Sequence, residues 1–142
     1  MVFDTTVFKE WLDRRDFGEK SSGFHKLMSR LNELVEEKDI KFLYPKNLFD
    51  GKDKHEFIAF LENKLLLCTL QETEIKFQLI NYSRIEYIEI NEAQNQYDAT
   101  ILTIKVNQIG DIILNSLEDS NEHWVNEYSK GIKSLFKVLV VN

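Results

Sequence analysis

An α+β fold is what this sequence predicts, and the prediction rests on where the hydrophobic period changes. Apolar residues recur at helical spacing up to about Lys38, alternate with a period near two through the middle, and return to helical spacing at the end. The strand-like segments follow one another with no helix between them, which excludes a parallel βαβ sheet and leaves an antiparallel meander. With 142 residues, 43% of them hydrophobic, the chain is long enough for one domain with a real core over 1–142.

Asp4 is placed to cap a first helix, with Phe3 ahead of it positioned to staple onto Phe8. Val7, Phe8, Trp11 and Leu12 share its inner face, and it should end near Arg15, before the break Phe17–Gly23. A second helix is expected from about Ser22 to Lys38, with Phe24, Leu27, Met28, Leu31, Leu34 and Val35 as its stripe. Seven strands follow: Ile40–Tyr44, Glu56–Glu62, Lys64–Leu70, Glu74–Ile80, Arg84–Ile90, Ala99–Val106 and Asp111–Ser116. A last helix should run from Leu117 or Asn121 to Leu139, capped from Ser116 or Ser120. Leu117, Trp124, Val125, Tyr128, Ile132, Leu135, Phe136 and Leu139 form its stripe, with Trp124, Tyr128, Ile132 and Leu135 facing inward.

Composition narrows the function classes. The net charge is −6, divided as −1 over residues 1–71 and −5 over residues 72–142, which argues against a nucleic-acid partner. One cysteine, Cys68, lies within Leu65–Leu70 as a small buried hydrophobe, and neither a disulfide framework nor a cysteine zinc cage is expected. The N-terminus has no basic lead and no long apolar stretch, so no secretory signal is expected and a cytoplasmic location follows. His55-Glu56 opens like a zincin motif, but Ala59 stands where the second histidine would have to be. His25, His55 and His123 are expected at the surface. No nucleophile elbow, phosphate-binding loop or dinucleotide fingerprint occurs, so neither catalytic residues nor a cofactor or metal is assigned.

Seven antiparallel strands followed by one amphipathic helix resemble the order of the pleckstrin-homology (PH) superfold. The segment Ile80-Asn81-Tyr82-Ser83-Arg84-Ile85-Glu86-Tyr87-Ile88 is similar to a bacterial PH-like pattern, and its Ile85-to-Ile88 spacing breaks strict alternation as a bulge would. The resemblance covers about residues 39 to 140. It implies a bent antiparallel barrel plugged by the last helix over 39–142, with residues 1–38 as a helical addition packed outside the barrel or on a second copy. Kinship with a small bacterial family of unknown function would add no activity. The rival is a cone-shaped fold like that of the nuclear-transport-factor family, which normally finishes in strands rather than a helix.

The resemblance also directs attention to the loop after the first strand. In PH domains that bind phosphoinositides this loop carries spaced basic residues, and here it offers Lys46, Phe49, Lys52, Lys54 and His55 as a possible ligand loop. Asp50 and Asp53 offset the lysines, and no arginine is present for bidentate phosphate contact. Phe49 could dip into a membrane or fold back onto the core. The expectation is therefore a noncatalytic interaction module that binds a protein or peptide, the membrane being the lesser partner and homo-oligomerisation open. A phospholipid-headgroup module is the alternative, and an enzyme of unrecognised type is a third reading.

Overall fold

The computed structural model describes residues 3–50, 53–92, 94–95 and 98–141. The chain forms two compact units, Met1–Ile80 and Asn81–Asn142.

The first unit opens with helix α1, Thr5–Asp13. Asp4 caps it as expected: its backbone is extended and its carboxylate accepts the Val7 N–H at 3.1 Å. Helix α2, Lys20–Leu34, buries Phe24, Leu27, Met28 and Leu31. It stops before Lys38 because Val35 is already extended, and Leu34, expected in the stripe, is 62% exposed. Strands β1 (Phe42–Pro45), β2 (His55–Phe60), β3 (Lys64–Gln71) and β4 (Glu74–Asn81) then form an antiparallel sheet in sequence order. Both helices cover one side of it. The rings of Phe8 and Phe24 meet Phe57 of β2 at 6.5 and 6.3 Å, and α2 lies over β2 and β3. Phe3 stacks on Phe42 and Tyr44 of β1. Cys68 is buried, and burial pushes its thiol pKa up, so it behaves as an inert apolar side chain.

The second unit is a smaller α+β layer. A 3-10 turn, Tyr82–Arg84, leads into β5 (Ile85–Asn91), β6 (Ile101–Val106) and β7 (Gly110–Asn115), again antiparallel and in sequence order. The register shifts between Ile85 and Tyr87, which is the bulge the broken alternation predicts. Gly110, at φ 114°, supplies the left-handed backbone that closes the β6–β7 turn. Helix α3, Val125–Val140, packs over β6 and β7 with Tyr128, Ile132 and Leu135 buried.

The seven strands, the terminal helix and the α+β class appear as expected, but the strands form two sheets and do not close into a barrel. The turn Tyr82–Arg84 interrupts the extended backbone between β4 and β5, and the ladders stay within each sheet. The last helix therefore covers a face of the three-stranded sheet instead of plugging a barrel end. It also starts later than expected, and neither Ser116 nor Ser120 is its cap. Asn115 Oδ1 accepts the N–H groups of Leu117 and Glu118, Asp119 accepts from Asn115, and Asn121 Oδ1 accepts from His123 and Trp124. These local side-chain bonds hold the segment in turns up to Trp124. Leu117 is consequently 46% exposed, and Trp124 is half-buried rather than fully inward.

Candidate functional site

The loop between β1 and β2 leaves the sheet at Pro45 and returns at His55. Its lysines do not converge on an open cleft. Lys46 and Lys54 both turn to Glu56 at the start of β2, at 4.0 and 3.0 Å, so one carboxylate lies between two ammonium groups. Lys52 lies outside the described residues. Phe49 is half-buried, its ring edge-on to Phe17 with centroids 6.1 Å apart, so it folds back onto its own unit. Asn47 donates to Asp50 at 2.8 Å, which further shapes the loop.

Lys20, at the start of α2, was not expected at this loop. Its ammonium donates to the Lys54 carbonyl at 2.7 Å and pairs with Asp50 at 3.1 Å, with the side chain only 11% exposed. It thereby ties the middle of the loop and its C-terminal end to the helix. No local pattern marks Lys20, because its partners lie about thirty residues away. A hollow of about 360 Å³ opens beside it, walled by Phe17, Leu48, Phe49 and His55 with Glu19 and Asp53 at its polar side.

His55 differs from the other two histidines. His25 and His123 are exposed, beside Asp13 and Glu122. The His55 imidazole is half-buried against α2, edge-on to Phe24 at 5.1 Å and over Gly23. A Cβ at Gly23 would stand 2.1 Å from His55 Nε2, so this close approach requires glycine. Burial lowers the His55 pKa below its ordinary value, and the Lys20 charge lowers it further, against the opposing pull of Asp53 and Asp50. The loop thus holds a neutral imidazole and ammonium groups that already have carboxylates. That arrangement is suited to fixing the loop, and poorly suited to gripping a phosphate.

The second unit presents a different feature at β5, an edge of its sheet. Ile88 stands opposite Ile104 and Ile90 opposite Leu102, so these isoleucines share the face that α3 covers. Leu102, Ile104 and Leu114 are fully buried there. Ile88 and Ile90 are half-buried, while α3 packs mainly over β6 and β7. Glu86 and Glu89 are exposed along the same strand. Just beyond it Glu92 pairs with Lys133 of α3 at 2.7 Å, linking the strand's end to the helix. On the other face Lys105 lies over the Tyr87 ring, 5.7 Å from its centroid. The unit therefore carries a strand edge, a partly covered apolar row and acidic side chains together.

Among the described residues, no group of three or more His, Cys, Asp or Glu side chains is arranged to hold a metal ion. No helix among them is long and apolar enough to cross a membrane. A family model described as "Protein of unknown function (DUF3908)" matches residues 4–130. No curated protein and no solved structure shows significant similarity to the chain.

Proposed function

We propose, from the premise that the chain belongs to the DUF3908 family of unknown function, that it is a noncatalytic module binding an extended segment of another protein in a bacterial cytoplasm. A four-stranded and a three-stranded antiparallel sheet followed by a helix support a PH-like reading of the architecture. The observation that carries the function is the β5 edge, with Ile88 and Ile90 half-buried beside the helix-covered face. An added strand would take its main-chain bonds from β5 and lay apolar side chains next to the two isoleucines. Glu86 and Glu89 select lysine or arginine in that strand, each opposite-charge cross-strand pair contributing about 0.2–1 kcal/mol.

The lipid-headgroup alternative draws less support. Lys46 and Lys54 share Glu56, and Lys20 pairs with Asp50, so two carboxylates already offset most of the charge of the three. The direct test is selection of displayed random peptides on the full chain. Enriched peptides should alternate aliphatic with basic residues and lose at least about tenfold in affinity against Glu89→Lys, the scale of a charge pair turned repulsive. Peptides that bind Glu89→Lys as well as the parent, or a selection without enrichment, would refute the proposal.

A further inference from the structure

The first unit carries a second edge whose side-chain pattern is complementary to itself. β4 ends the four-stranded sheet and contains no proline, and α2 lies over β2 and β3. Ile75, Phe77 and Leu79 alternate along it and so share one face. Ile75 and Phe77 are half-buried, and Leu79 is 57% exposed. Edge strands are normally blunted by proline, a bulge or an inward-pointing charge. The one lysine of β4, Lys76, lies on the opposite face and leaves the apolar row unguarded.

The row is symmetric about Phe77. In an antiparallel pairing with a two-fold axis at Phe77, Phe77 meets Phe77 of the second copy and Ile75 meets Leu79. On the other face, Lys76 meets Gln78. A one-residue slip sets Phe77 opposite Gln78 and Lys76 opposite Leu79. A two-residue slip toward the β3–β4 turn sets Lys76 against Lys76, which is repulsive. The slip in the other direction leaves Ile75 opposite Asn81. The centred register alone pairs the entire row.

We propose that β4 is the seam of a homodimer in which two copies join these edges antiparallel about Phe77, extending each four-stranded sheet into one of eight strands. The seam is distinct from the β5 edge and does not depend on what that edge binds. One strand pair covers less surface than the about 800 Å² per partner of a standard interface, so the dimer should form only at raised protein concentration.

Sedimentation velocity on the full chain from about 5 to 500 µM should show a monomer passing to a dimer, as expected for a small interface. Leu79→Lys places a charge against Ile75 at both symmetric positions. It should weaken the dimer at least about tenfold while leaving the melting temperature of the dilute monomer unchanged. Phe77→Cys should form a disulfide-linked dimer under mild oxidation, because directly opposed Cα atoms lie about 4.5–5.5 Å apart, within disulfide reach. Glu74→Cys should not cross-link, and Cys68 is buried and does not compete. A monomer throughout the range, association unaffected by Leu79→Lys, or a dimer that Phe77→Cys fails to cross-link would each overturn the proposal.

Discussion

Gly23 and His55 offer a quantitative test of how α2 seats on β2. Glycine within a helix costs about 1 kcal/mol relative to alanine, so Gly23→Ala taken alone should stabilise α2. The structure sets a clash against that gain. The new Cβ would stand 2.1 Å from His55 Nε2, well inside ordinary contact, and the imidazole would have to move by more than 1 Å. That ring is edge-on to Phe24, which is fully buried, so moving it disturbs the packing beneath α2. Overpacking of this kind costs about 1–3 kcal/mol. The net effect of Gly23→Ala in the parent is a destabilisation of about 0–2 kcal/mol, from the difference of the two terms. In a His55→Ala background the clash is gone, and the same substitution should stabilise by about 1 kcal/mol. Urea unfolding of the parent, both single variants and the double variant gives the coupling directly, expected at about 1–3 kcal/mol. Additive effects would show that Gly23 and His55 do not meet, and would refute the reasoning.

Three further outcomes follow from the same structure. Because the folded His55 pKa is lowered, its contribution to stability is complete above the unfolded value of about 6.5 and is lost as pH falls through the folded value. Urea midpoints at pH 7.5 and pH 5 should therefore differ more for the parent than for His55→Ala, and an identical pH dependence would count against the burial of the ring. Deleting residues 1–38 uncovers Phe57, Ala59 and Leu66, all buried in the parent, so the fragment should bind a hydrophobic dye or aggregate; a soluble fragment with a cooperative melt would show the helices to be dispensable. Sedimentation with anionic liposomes at physiological ionic strength should show no salt-sensitive binding, since the lysines flanking β2 already face carboxylates; saturable binding abolished by Lys46→Glu would revive the headgroup reading.

Alternation of apolar residues marks β4, β6 and β7, continuous apolar runs mark β1 to β3, and the local break from Ile85 to Ile88 marks the bulge, because all are written in neighbouring side chains. The start of α3 was less legible. Leu117 and Trp124 fit a helical stripe, yet the amide oxygens of Asn115 and Asn121 capture backbone N–H groups that a helix would have needed. Closure of a barrel depends on strands far apart in the chain, and periodicity says nothing about that. The same limit hid Lys20, whose partners Asp50 and Lys54 carry no local signal. Gly23 did carry one. A glycine inside a helix marks a close approach, but nothing local names His55 as what approaches. At β5, the acidic character of the second half was visible in sequence, while the half-buried state of Ile88 and Ile90 follows only from the tertiary packing.

The strictly sequential order of strands within each sheet has a kinetic consequence. Every ladder joins neighbours in the chain, so each forms by closing a short loop at small entropic cost. The first sheet is complete once β4 has been synthesised, and it needs no strand from the second sheet to satisfy its ladders. A nascent chain can therefore order its first eighty residues before the second sheet has formed, as sequentially encoded units do. During that interval β4 already has its β3 partner while β5 still awaits β6.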